Sequence, residues 1–392
     1  MRSAIRGTAV AAVAVMLLVG CAPGAAPSMP EPDRSASAPP PSPSATPTVS
    51  PVDAAVDRMS TAEQAASVVM GHLPTTDPAA LREFMASGPG GAALGGFILM
   101  GANIAGDEDA VRAVADELTL DPALPPLIAI DQEGGVVSRL PWDRLPGGRA
   151  LQAEDAQRTR TVFTQRARMV QASGANVNLG VVADIPRSSS SFISSRALGT
   201  DPDSSAAHVA AAVQGERGIV LSTLKHFPGH GAAPGDSHHG IPGTDESLSQ
   251  WRSADAVPFA AGIDAGADLL MFGHLAYTAV DSAPASLSAR WHEIARDELG
   301  FRGVAITDDL GMLASSGIDA YRDPVANAVT ALAAGNDMVL MVAGSTARTA
   351  AEMAAGIARA VDDGTLPAAR LRDAAVHVMA LRMRLADSAA AQ

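Results

Sequence analysis

The sequence predicts a (β/α)8 barrel, and three observations carry that expectation. Eight short, continuously apolar runs recur between amphipathic stretches over about 340 residues. Each of several runs ends abruptly in polar or charged residues, while the residues before the runs are mostly Gly, Pro and Ala. Strands buried on both faces with chemistry at one end suit a closed parallel barrel better than an open doubly wound sheet.

The runs are SVVM (67–70), GFILM (96–100), LIAI (127–130), VNLGVV (177–182), IVLSTL (219–224), DLLMF (268–272), VAIT (304–307) and DMVLM (337–341). Segments between them, such as 153–173 and 290–299, have helical amphipathic spacing. Ser60-Thr61-Ala62-Glu63 reads as a capping box that opens the first helix of the domain.

The N-terminus has a different character. Arg2 and Arg6 precede an apolar run from Thr8 to Val19, too short for an ordinary membrane span and typical of an export signal. It ends in Leu18-Val19-Gly20-Cys21, which resembles the lipobox of bacterial lipoproteins. That resemblance implies cleavage before Cys21, lipid attachment to its thiol, and an extracytoplasmic protein anchored to the membrane. Residues 22–52 carry ten prolines among Ser, Ala and Thr and read as a semi-extended tether. The expected organisation is a signal peptide over 1–20, lipidated cysteine and tether over 21–52, and the catalytic domain over 53–392.

Composition narrows the partners. A formal net charge of −14 argues against a nucleic-acid backbone as ligand. Aromatics at 3% leave little for an extended stacking platform. Cys21 is the single cysteine, so no internal disulfide or multi-thiolate metal site can form. The chain is expected to act as a monomer.

The strand ends hold the candidate chemistry. LIAI runs into Asp131-Gln132-Glu133-Gly134-Gly135, VNLGVV into Asp184, and the fifth run into Lys225-His226. DLLMF leads to His274 and VAIT to Asp308-Asp309. Asp308 and Asp309 are adjacent, so only one can face the barrel axis. Asp131 and Glu133 could share a face, but as an acid/base pair one would need a raised pKa. A purely structural role for these residues, as caps and turns, is the alternative at this level.

The stretch from Lys225 to His239 reads KHFPGHGAAPGDSHH. Its histidines and Asp236 could be metal ligands, but no HExxH-type spacing is present. The other reading pairs Asp236 with His238 on a glycine-bearing loop, the carboxylate orienting an imidazole that transfers a proton. His230, between two glycines, is expected to shape the loop.

KHFPGHG followed by DSH, together with DQEGG, SRALG and TDDLGM, resembles family 3 glycoside hydrolases, with the single-domain β-N-acetylglucosaminidases as the closest group. The likeness runs from about Met59 to Met312. It implies Asp308 as nucleophile, His238 as acid/base and Asp236 as its dyad partner. It implies Asp131, Arg139, Arg196, Lys225 and His226 as ligands of the terminal sugar, and no metal or organic cofactor. The implied reaction is retaining release of terminal β-N-acetylglucosamine from cell-wall fragments. A β-glucosidase or xylosidase of the same family, or a lipid-anchored glycan-binding protein without activity, are the alternatives. Two departures stand out: DQEGGVVSR has Val136 where the family usually has arginine, and AAPG separates PGHG from DSH.

Overall fold

The computed structural model describes residues 50–235, 237 and 240–390. Cys21, the tether up to residue 49, Asp236 and His238 lie outside the described residues. Eight parallel strands close into a barrel: β1 Val69–Gly71, β2 Gly96–Leu99, β3 Leu127–Ile130, β4 Val177–Val182, β5 Leu221–Phe227, β6 Leu269–Phe272, β7 Val304–Asp309 and β8 Met338–Leu340. Each strand pairs with its neighbours in sequence, and β8 closes on β1 through Val69 opposite Val339. All eight apolar runs are therefore barrel strands. Helices cover the outside, among them Ala156–Ala172 and Pro202–Glu216. Among the described residues no helix is long and apolar enough to cross a membrane.

The first described helix, Pro51–Val56, overlaps the last two residues of the expected tether. Three local causes start it there. Ser50 accepts the N–H of Asp53, proline occupies the first turn, and Arg372 of the C-terminal helix holds Asp53 at 2.8 Å. The capping box at Ser60 and Glu63 forms as expected and opens the helix Thr61–Ser67.

Charge is not confined to the C-terminal ends of the strands, contrary to the expectation. Asp268 and Asp337 stand immediately before β6 and β8. Asp268 accepts the N–H of Ser222 at 2.9 Å. Asp337 is fully buried and accepts from Ala305 N, Arg296, Arg370 and His377. These carboxylates tie one strand start to the next, which satisfies backbone donors the ladder leaves open. Asp337, Asp373 and His377 come close together, but Arg296 and Arg370 already pair with Asp337.

The few aromatics are concentrated beside β5 and β6. Phe227, Trp251, Phe259, Phe272, Tyr277 and Trp291 pack mostly edge to face, with neighbouring centroids 4.9–5.9 Å apart. This cluster has a functional consequence. Trp251 Nε1 donates to the Pro228 carbonyl and the Tyr277 hydroxyl to the Gly229 carbonyl, each at 2.8 Å. The turn after β5 is thus clamped to a rigid platform before the loop beyond it begins.

Candidate active site

At the C-terminal ends of the strands lies a cavity of about 300 Å³. Ile98, Leu179, Met271 and Leu340 are among its apolar lining residues. Asp131, Glu133, Arg139, Arg196, Lys225, His226 and Asp308 supply its charged and polar lining. The six described residues expected at the site therefore meet in one cavity.

Lys225 is the hub of the charged set. Its Nζ lies 2.8 Å from Asp131 and 2.7 Å from Glu133. Arg139 holds the other oxygen of Asp131 at 3.3 Å, and Arg196 grips Glu133 with two bonds of 2.7 and 2.9 Å. Burial would raise both carboxyls, but Lys225 and the arginines outweigh it, leaving Asp131 at about 2 and Glu133 below its usual range. Neither can act as a general acid near neutral pH. The bonds to Lys225, Arg139 and Arg196 favour the ionised forms and so speak against Asp131 and Glu133 as an acid/base pair.

Gln132 explains how Arg139 reaches the cavity. Its side-chain oxygen accepts the N–H groups of Arg139 and Leu140, and its amide nitrogen donates to Ser138 and Asp143. Beneath, buried Arg166 pairs with Asp143 at 2.8 Å. A Cβ on Gly134, at φ +83, would fall 2.1 Å from Arg166, so glycine is required there.

Asp308 and Asp309 both border the cavity, contrary to the expectation that only one would, but their carboxylates have different partners. The Asp309 carboxylate is spent on the backbone N–H groups of Gly311, Val342 and Ala343 at 2.7–2.8 Å. Asp308 lines the cavity and, among the described residues, accepts one bond, from Asp309 N at 2.8 Å. Burial raises its carboxyl, yet His226, His274, the Asp309 N–H and Lys225 together hold it below the usual carboxylate range. An ionised oxygen is therefore available in the cavity at neutral pH.

His226 Nδ1 sits 2.7 Å from Asp184, and its Nε2 lies 3.4 Å from Arg196. Asp184 also accepts the backbone N–H of His226 and of His230. His230 does more than shape the loop. Its buried ring lines the cavity and packs edge-on against Phe192 at 4.7 Å. Burial and nearby His226 push its pKa down.

Sequence reasoning gave no role to Asp184 or Gln132 and missed Phe192. Asp184 had a signal, since it follows β4 as Lys225 ends β5. Phe192 had none, because it stands three residues before the SRALG motif of its loop.

Residues 90–381 match the glycosyl hydrolase family 3 N-terminal domain. The chain belongs to that family. Family 3 membership makes it a glycoside hydrolase, and a β-hexosaminidase of Stenotrophomonas maltophilia is 39% identical over 240 residues, 57% of this chain and 69% of that one. A β-hexosaminidase of Chromobacterium violaceum is 39% identical over 259 residues, covering 63% and 71%. Among solved structures, the β-N-acetylhexosaminidase of Beutenbergia cavernae has a TM-score of 0.74 at 29% identity, covering 83% of this chain and 98% of that one. A family 3 β-N-acetylglucosaminidase of Paenibacillus sp. has a TM-score of 0.76 at 28% identity, covering 84% of this chain; the chain spans 63% of its length. These likenesses extend over the closed parallel barrel described above.

Proposed function

We propose that the protein is a retaining exo-β-N-acetylglucosaminidase that releases terminal N-acetylglucosamine from cell-wall fragments. The observation that carries this reading is Asp308, a carboxylate held below the usual carboxylate range in a cavity lined by paired cationic and anionic side chains. The names of the hexosaminidase relatives support the choice of sugar. Asp131, Arg139, Arg196, Lys225 and His226 bind its hydroxyls and acyl group, since paired charges offer both donors and acceptors.

In this mechanism Asp308 attacks the anomeric carbon while His238 protonates the departing oxygen, Asp236 steadying the imidazole. The covalent glycosyl-enzyme then meets water, from which His238 takes a proton. The sugar leaves with its β configuration retained. Lipid at Cys21 would hold the monomeric enzyme outside the cytoplasm, where wall glycans are found.

The test is hydrolysis of chromogenic β-N-acetylglucosaminide and β-glucoside, with Asp308→Gly as control. The expected result is turnover of the first, little of the second, and loss of at least about a thousandfold in the control. Preference for the glucoside would overturn the substrate, and no turnover of either would overturn the activity. Trapping by a 5-fluoro N-acetylglucosaminyl fluoride, which keeps the 2-acetamido group, with Asp308 as the labelled residue would establish the nucleophile.

A further inference from the structure

The Asp184 carboxylate is fully buried and has no place in the reaction described so far. It lies two residues past the end of β4, where it meets two separate parts of the chain. One is His226, whose Nδ1 approaches Oδ2 at 2.7 Å and whose backbone N–H lies 3.3 Å from both oxygens. The other is His230, whose backbone N–H donates to Oδ1 at 2.6 Å.

The partners decide which ring nitrogen of His226 carries the proton. Arg196 can only donate, so Nε2, 3.4 Å from its guanidinium, is an acceptor. The Nδ1 proton then goes to Asp184. His226 therefore turns a lone pair toward the cavity, beside an arginine that can only donate. A sugar hydroxyl placed there can donate to one and accept from the other.

The second contact lies at the root of the loop after β5. Other groups hold that root independently: Trp251 on Pro228, Tyr277 on Gly229, and Gly229 N on the His226 carbonyl. Gly231 packs so tightly that a Cβ would fall 1.9 Å from the Ile185 carbonyl. Losing Asp184 would thus leave the turn in place but free the His226 ring and the His230 N–H.

We propose that Asp184 is a positioning residue for the glycosidase reaction, fixing His226 as the Nδ1-protonated tautomer toward the sugar and tying that histidine to the root of the acid-bearing loop. The inference rests on the proposed function for its kinetics, but its tautomer prediction stands apart.

The experiment has two arms. In wild-type protein with ¹⁵N-labelled histidine, long-range ¹H–¹⁵N spectra at neutral pH should show His226 protonated at Nδ1 only, assigned by its loss in His226→Gln. A proton on Nε2 overturns the proposal. In Asp184→Asn, an amide cannot accept on both sides. If its oxygen keeps the His230 N–H, its nitrogen faces His226 Nδ1 and drives the proton to Nε2. If its oxygen keeps His226, the His230 N–H meets a second donor. The expected result is kcat/KM lower by roughly 10- to 100-fold, as for loss of a charge-assisted hydrogen bond. A shift of the ring proton to Nε2, or loss of protection of the His230 amide from hydrogen exchange, should accompany it. Unchanged kcat/KM in a folded variant, or a loss with both signatures as in wild type, overturns the proposal. Should the variant not fold, the wild-type tautomer still decides. Absence of turnover by the wild type would sink the functional reading without touching the spectroscopic arm.

Discussion

Lys225, at the end of β5, and Asp131, just after β3, meet at 2.8 Å although 94 residues separate them in sequence. Their contact joins two strand ends across the cavity and keeps the carboxylate ionised. Lys225→Met should remove this link and leave Glu133 with Arg196 alone and Asp131 with Arg139 alone. The expected cost is about 3 kcal/mol in urea melts at pH 7, because a buried pair is broken from one side. The acid limb should also move. A folded pKa of about 2 for Asp131 gives stability that is full above its ordinary 3.8 and lost as pH falls towards 2. In the variant that loss should begin at higher pH. An unchanged acid transition would contradict the assigned pairing.

Glu216 predicts the opposite pH dependence. It is fully buried, receives one bond from Asn178 at 2.6 Å, and burial pushes its carboxyl up to about 8 despite Arg166 nearby. Its folded pKa lies above the unfolded value of 4.5, so the folded state holds an extra proton between those limits. Stability therefore falls as pH rises from about 4.5 to 8. Glu216→Gln keeps the acceptor for Asn178 and removes the titration. It should be nearly neutral at pH 5 and stabilise by about 2–4 kcal/mol at pH 8 and above. Thermal melts across that range check it; an equal effect at both ends would refute the raised pKa.

Gly229 is the next sensitive point. Its φ of +131 suits glycine, and a Cβ there would meet Asp255 Cβ at 2.9 Å. Asp255 cannot easily retreat, because its buried carboxylate is held by Arg187 at 2.5 Å. Gly229→Ala should cost about 1–3 kcal/mol and lower kcat more than it raises KM, since the turn leads into the loop after β5. Wild-type melting behaviour would show that the turn adapts.

The sequence was readable wherever a local pattern sufficed. Eight apolar runs gave the strands, and a charge at the end of a run identified Asp131, Lys225, His226 and Asp308. The unread features are long-range pairings. Asp184 finds His226 only across 42 residues, and nothing in VVADIP says that its carboxylate will be buried. Asp268 and Asp337 look like solvated strand-start residues until the barrel closes and they meet backbone donors from neighbouring strands. Glu133 sat inside a motif, but its double pairing with Arg196 and Lys225 needed the fold.

Val136 provides the last prediction, because it stands where the family usually has arginine. It lies in the tight turn between Gly134 and Val137 and is 70% exposed, whereas Val137 and Arg139 line the cavity. Val136→Arg adds a charge at an exposed position without removing a packed side chain, so stability should stay within about 0.5 kcal/mol. Hydrolysis of a neutral chromogenic substrate should change less than about twofold, since the cavity lining is untouched. With an anionic aglycone, such as a muramic acid that carries its lactyl carboxylate, an added cation should lower KM several-fold at low salt and lose the effect near physiological ionic strength. Steady-state kinetics with both substrates at two salt concentrations checks this. An equal KM change for the neutral and the anionic substrate would mean that the residue acts through the loop's shape and not through its charge.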